Sequence, residues 1–219
     1  MPSTRIIAID GPSASGKGTI ARRLAAHFGF AHLDTGLLYR AVGFAVLEKG
    51  GDPGDPKAAE AAAKTLSASN IETVLANPAL REDHVSNAAS KVAAIPAVRA
   101  ALLKFQQDFC AHPPSGKPGA VLDGRDIGTV IAPNAPVKIY VTATTEARAE
   151  RRFKELQGRG STTTYDMVLA DLKERDARDS TRNIAPAKPA KDAITIDTTN
   201  MYADEAFAAA LKICEKNLR

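Results

Sequence analysis

The chain has 219 residues, 44% hydrophobic and 25% charged, the balance of a globule with one core and a small appended lobe, and marginal for two independent domains. Its net charge is +4, with arginines dispersed among acids, 5% aromatics and no Trp; this argues against a nucleic-acid surface and for a small anionic ligand. Cys110 and Cys214 are far apart with no neighbouring His or Cys, so no disulfide framework or metal cluster is expected, in keeping with a reducing cytosol, and no apolar run reaches the roughly 18 residues of a membrane span.

Arg5 to Asp10 (RIIAID) is a β-branched apolar run ending at a glycine-rich turn, which predicts a buried parallel strand. It follows the N-terminus with no apolar h-region before it, so no signal peptide is expected. Lys17 to Phe28 has helical spacing and stops at Gly29. Ala31 to Leu33 is a second short strand, and Leu37 to Lys49 a helix ended by the turn cluster from Gly50 to Gly54.

Lys57 to Ser69 is an alanine-rich helix. Between Asn70 and Val85 the pattern is ambiguous, with one possible strand over Ile71 to Leu75. Helices follow over Asn87 to Ala94 and from Pro96 to about Cys110, the second with proline in its first turn. His112 to Gly119 is a loop. Ala120 to Asp123, Val137 to Thr142 and Ala193 to Asp197 read as strands, Thr145 to Leu156 and Tyr165 to Asp179 as polar helices, and Ala203 to Leu218 as a closing helix. Strands alternating with helices imply a five-stranded parallel sheet with helices on both faces. The helical segment from about Lys57 to Cys110 lacks core-strand runs and is expected to form a lobe over one edge of the site.

The chemistry begins at Gly11-Pro12-Ser13-Ala14-Ser15-Gly16-Lys17-Gly18-Thr19. A Gly-x4-Gly-Lys sequence between a strand and a helix is a phosphate loop, whose backbone N–H groups and helix N-terminus cradle phosphate oxygens. Lys17 is then the group that reaches the β- and γ-phosphates. The residue after it is Gly18, so the hydroxyl expected on the Mg²⁺ side is Thr19.

A second anion site is expected at the carboxyl ends of the neighbouring strands. Thr35, Tyr39 and Arg40 follow the second strand; Asp123, Gly124, Arg125 and Asp126 follow the third. Asp123 is a candidate to hold Mg²⁺ through water, and Arg125 to take a phosphate bidentately. Arg175, Arg178 and Arg182 fall at i, i+3 and i+7, with Asp179 four residues from Arg175. Arg148 and Arg152 are spaced i, i+4, and Arg159 lies between glycines in the connector of two helices, the usual build of a lid. Arg151 and Lys154 read as members of a solvated, salt-bridged face. No Ser-His-Asp set or carboxylate pair stands out.

Together, Ile9-Asp10-Gly11-Pro12-Ser13, Gly16-Lys17-Gly18-Thr19, Asp34-Thr35-Gly36, Tyr39-Arg40, Asn87-Ala88-Ala89-Ser90, the run from Asp123 to Thr129 and Glu174-Arg175-Asp176 with Arg178-Asp179 resemble the bacterial cytidylate kinases, nearly end to end. Other P-loop kinases, such as adenylate kinase-like enzymes or dephospho-coenzyme A kinase, leave the NAAS run, Arg99 and DGRD unexplained; a nucleotide-binding switch is a further alternative. The resemblance implies transfer of the ATP γ-phosphoryl group to CMP or dCMP, with Mg²⁺; no large apolar patch is marked in the sequence, so a monomer is expected, and the cysteine usage fits a cytoplasmic place. It implies that Ser90, Arg99 and Asp126 contact the base, and that Thr35, Arg40, Arg125 and Arg182 surround the acceptor phosphate with Tyr39 beside them. Arg175 and Asp179 would lie at the ribose, and Arg178 nearer the transferred phosphoryl, so that Lys17, Arg125, Arg178 and Arg182 form the catalytic set. Arg148, Arg152 and Arg159 would belong to the donor-side lid.

One domain is expected over 1–219: a core of 1–56, 112–145 and 181–219, a monophosphate-binding lobe at 57–111, and a lid with flanking helices at 146–180. The chain departs from the family in two places. Thr35 stands where the family usually has Ser, and the segment near 70–85 is shorter than the family's strand-bearing insert.

Overall fold

The computed structural model describes residues 5–66 and 71–218. Its five strands, β1 (Arg5–Asp10), β2 (Ala31–Asp34), β3 (Gly119–Gly124), β4 (Val137–Thr142) and β5 (Ile194–Asp197), form one parallel sheet in the order β2-β3-β1-β4-β5. Ile7, Ala8 and Ile9 of the central strand have no exposed surface, as an unbroken apolar run demands when both sheet faces are covered. On one face Ile7, Ile9, Val121 and Ile139 meet Ile20 and Leu24 of α1 (Lys17–Phe28) and Ala210 and Cys214 of α9 (Ala203–Asn217). On the other, Ala8 and Leu122 meet Leu38 and Val42 of α2 (Thr35–Leu47) and Val98 and Leu102 of α6 (Pro96–Ala111).

Between α2 and α6 lie α3 (Pro56–Lys64), α4 (Ile71–Leu75) and α5 (Asp83–Val92), with a 3₁₀ turn at Pro78–Arg81. Beyond β4, α7 (Thr145–Gln157) and α8 (Tyr165–Thr181) pair through their own small cluster of Ala149, Leu156, Val168 and Leu172.

The predicted elements are present with small shifts at their ends, and two differences have physical causes. Ile71–Leu75 is a helix, not a strand: Ile71 is buried, and Val74 and Leu75 pack on Ala41, Leu80 and Val85, so tertiary contact overrides the β preference of the run. α5 begins at Asp83 rather than Asn87, because Val85 and Ser86 are buried and belong to the packed turn. α3 ends at Lys64, with its C-cap at Thr65, short of the predicted end at Ser69, which itself lies outside the described residues. Among those described, segment 71–85 carries no strand.

A further element, the π-helical turn Ile127–Ile131, had no periodicity to announce it. It is held from outside itself. The buried Asp10 carboxylate accepts hydrogen bonds from the Ile127 and Gly128 N–H groups, each at 2.8 Å.

Candidate active site

The strand registers align Asp34 with Asp123 and Asp10 with Gly124, so the acidic strand ends share one edge of the sheet. Above that edge is a cleft of about 500 Å³, lined by the phosphate loop, the ends of β2 and β3, and residues of α2, α5, α6, α7 and α8. At Gly11 a Cβ would stand 2.0 Å from the Val141 carbonyl oxygen, so only glycine lets the loop leave β1 beside β4. Gly16, at φ 88°, turns the loop into α1.

Lys17 Nζ donates to Pro12 O at 3.1 Å. Burial, helped by the Arg125 charge, lowers its pKa from 10.5 to about 7, against the pull of Asp123 and Asp34. Asp123 reaches the foot of the loop: a Cβ at Gly18 would meet its Oδ2 at 3.6 Å, an ordinary contact. The other Asp123 oxygen is bound to His32 Nε2 at 2.8 Å. Burial and the neighbouring Asp123 charge raise the Asp34 pKa, opposed by Lys17 and His32. The Thr35 hydroxyl donates to the Asp123 backbone oxygen at 2.8 Å, so it braces the strand end as well as lining the cleft.

Opposite the loop, two buried aspartates collect guanidiniums. Asp126 pairs with Arg99, which lies 5.5 Å above the Tyr39 ring, and stands 3.9 Å from Arg182. Burial raises the Asp126 pKa and the arginines oppose it. Asp179 accepts from Ser90 at 3.1 Å and from Arg125 at 3.1 Å, with Arg175 at 3.9 Å. Burial would raise its pKa too, but Arg125, Arg175 and Arg182 outweigh that and the net shift is downward. Arg40 donates to Leu80 O at 2.7 Å and to Ser86 Oγ at 2.8 Å. Burial, then the Arg152 charge, lower its pKa to about 10.

The arginines of α7 and α8 divide. Arg175 and Arg182 line the cleft, as does Arg152, which is paired with Asp83 and Glu155. Arg178 does not: it turns to Glu174 and to Asn87 Oδ1. Arg148 also lies off the cleft wall, spanning Asp176 and the Ser13 carbonyl oxygen at 3.2 Å, and so ties α7 and α8 to the phosphate loop. Arg159 pairs with Glu155 and donates to Arg81 O. Arg151 corrects its predicted place on a solvated face: it lines the cleft and donates to Thr198 Oγ1 at 3.1 Å. Thr198 in turn donates to Ser15 O at 3.0 Å, bracing the loop. Lys154 does sit on the solvated face, paired with Glu150.

The motifs do not single out His32, Ser86 or Thr198, and they contain Asp176 without giving it a role. Only for His32 was a signal available, since β alternation puts it on the same strand face as Asp34. Among the described residues, the buried side-chain polar atoms without a hydrogen-bond partner are Ser15 Oγ, Thr129 Oγ1, Arg175 Nε and Arg182 Nη2. All but Thr129 belong to residues of the cleft wall.

A phosphate loop facing an arginine-rich pocket fits many kinases, and the whole-chain pattern narrows the field. The family model described as Cytidylate kinase matches residues 7–216. The chain belongs to the cytidylate kinase family. The cytidylate kinase of Paramagnetospirillum magneticum is 60% identical over 208 residues, covering 95% of this chain and 96% of that protein. That of Rhodospirillum rubrum is 58% identical over 208 residues, with the same coverage of 95% and 96%. Among solved structures, one described as an uncharacterized protein from Eubacterium ventriosum superposes with a TM-score of 0.53 at 15% identity, covering 97% of this chain and 99% of that one; it speaks for the fold alone. Cytidylate kinases are nucleoside-monophosphate kinases, so the donor is ATP and both substrates are small nucleotides.

Proposed function

We propose that the enzyme transfers the γ-phosphoryl group of ATP to CMP or dCMP, with the donor on the Gly11–Thr19 loop and the acceptor between Tyr39, Arg99, Asp126, Arg175 and Arg182. The observation that carries this reading is the set of orphaned polar atoms. Buried unpaired donors cost about 1–3 kcal/mol each. Arg175 Nε and Arg182 Nη2 on one wall stand 3.9 Å from the Asp179 and Asp126 carboxylates, too far for a hydrogen bond, and Ser15 Oγ on the other wall has none either; nucleotide phosphates supply the acceptors they lack.

The acceptor is a phosphate monoester, largely dianionic near neutral pH, and already a nucleophile. The site therefore needs position and charge neutralisation more than a general base. Lys17 meets the donor phosphates. Arg40, Arg125 and Arg182 hold the acceptor phosphate, with Thr35 fixing the strand end below them. Arg175 and Asp179 take the ribose. Arg152 bridges toward the donor, Arg148 holds the loop for it, and Arg178 anchors α8.

Residues 57–111 act as the monophosphate-binding lobe and 146–180 as the lid, whose closure excludes water from the transfer. A cytoplasmic, monomeric chain belongs to the same proposal. Among the described residues no three His, Cys, Asp or Glu side chains converge on a metal site. Thr19, Asp34 and Asp123 nonetheless fit a Mg²⁺ held mainly by phosphate and water, because burial and the Asp123 charge raise the proton affinity of Asp34 and a cation relieves that. Bound there, Mg²⁺ supplies positive charge to the β- and γ-phosphates.

Base choice is the test. Asp126, with both oxygens facing guanidiniums, accepts from the exocyclic amine of cytosine and repels the uracil carbonyl. A lost bond to a buried polar group costs about 1–3 kcal/mol, so kcat/KM for CMP exceeds that for UMP by a matching factor. A panel of monophosphates with ATP and Mg²⁺ measures this, and equal efficiency for CMP and UMP sinks the assignment of Asp126.

A further inference from the structure

Ser86 is a buried residue of α5 outside every motif of the sequence, yet two arginines of the cleft end on it. Its Oγ accepts from Arg40 Nη2 of α2 at 2.8 Å and from Arg175 Nη1 of α8 at 2.6 Å. The same Arg175 nitrogen reaches Ser13 Oγ of the phosphate loop at 3.4 Å. A chain of contacts, Arg40–Ser86–Arg175–Ser13, thus runs from the acceptor side of the cleft to the donor loop.

The two guanidiniums do not come together willingly. Burial lowers the pKa of each to about 10, and the Arg40 charge contributes to the lowering at Arg175. Something must hold two like charges side by side without cancelling them. A carboxylate at position 86 would pair with both and compete with an incoming phosphate. An alanine would leave both N–H groups to splay. A hydroxyl has two lone pairs and no charge, so it fixes both cations and leaves their field intact.

We infer that Ser86 is a positioning residue, which sets Arg40 and Arg175 at the sugar-phosphate end of the acceptor and keeps their combined positive charge available to it. The inference rests on the reading of this cleft as the acceptor site. Ser86 Oγ bonds to Arg40 and Arg175, whereas Arg99 and Asp126 bond to each other, so Ser86 governs grip on the sugar-phosphate and not choice of base.

Steady-state kinetics of Ser86→Ala with CMP, UMP and ATP varied in turn provide the test. Loss of a hydrogen bond to a charged group predicts a KM for CMP about tenfold higher. The KM for UMP rises by the same factor, while kcat and the KM for ATP move far less. Ser86→Thr, which keeps the hydroxyl, recovers most of the loss. Ser86→Asp keeps an acceptor for both arginines but cancels a charge, so it too weakens CMP; it carries the test if Ser86→Ala melts early. A wild-type KM for CMP in both Ser86→Ala and Ser86→Asp overturns the inference. So does an equal loss for CMP and ATP, which marks a structural role. Arg40→Ala separates the two levels: if it loses CMP while the Ser86 variants do not, only the role of Ser86 falls; if it binds CMP normally, the acceptor-site reading falls with it.

Discussion

Lys17 is caught between two demands. Its loop buries it, which brings its pKa to about 7, and the reaction needs it charged against ATP. At pH 8 the resting lysine is largely neutral, and the donor phosphates restore its charge. ATP binding at pH 8 therefore takes up close to one proton per site, and at pH 6, where Lys17 is already charged, close to none. Calorimetry in buffers of different ionisation enthalpy reads this directly; equal uptake at both pH values removes Lys17 from the donor phosphates. Lys17→Ala abolishes the pH-dependent uptake and lowers kcat by orders of magnitude while the fold survives, since Lys17 supplies charge and not core packing. Gly11 also belongs to this scale. Its requirement is legible as a motif, but its cause, the Val141 carbonyl 2.0 Å from any Cβ, comes from a strand 130 residues away in the chain.

The π-helical turn after β3 shows an element made by one distant side chain. Asp10 ends β1, and its carboxylate holds the Ile127 and Gly128 N–H groups, fixing the backbone next to Asp126. Burial raises the Asp10 pKa from 3.8 to about 6, even against those two hydrogen bonds. A folded pKa above the unfolded one means the folded chain binds the proton more tightly. The stability from this group is therefore complete below about pH 4 and is lost as pH rises through about 6. Asp10→Asn flattens the melting temperature across that window relative to wild type; an unchanged pH slope refutes the assignment. Elements built on their own periodicity, such as α1, were legible to the residue: it runs from Lys17 to Phe28 and Gly29 stops it at φ 66°. The turn at 127 and the short helix Ile71–Leu75 were not, because a carboxylate from another strand forms one and the Leu80–Val85 cluster forms the other.

Across the whole molecule, α5 meets the helices that flank the cleft along one polar stripe. Asp83 takes Arg152, Ser86 takes Arg175, Asn87 takes Arg178 and Ser90 takes Asp179, at the i, i+3, i+4 and i+7 spacing of one helix face. These contacts tie α5 to α7 and α8. Asp83 is the most exposed partner, and its pair with Arg152 contributes the modest amount of a surface bridge, about 0.2–1 kcal/mol. Asp83→Asn therefore speeds hydrogen exchange in the connector 158–164 by about two- to fivefold in the free enzyme. With ATP and CMP bound the difference closes, because phosphate replaces Asp83 as the partner of Arg152. No change in the free enzyme refutes a role for the Asp83–Arg152 pair in holding this connector.

By itself the sequence determined the parallel sheet, the phosphate loop and the acidic and basic strand ends, since each is written in contiguous residues with a local period or a fixed spacing. The resemblance of its motifs then pointed to cytidylate. Only the tertiary structure decided which arginines enter the cleft. Arg175 and Arg182 face it and Arg178 does not, Arg151 lines it and Lys154 does not, and Ser86 joins two helices that no motif connects. Helical spacing places arginines on a face, but the partner across that face, an aspartate, a hydroxyl or a carbonyl from another part of the chain, determines where each charge comes to rest.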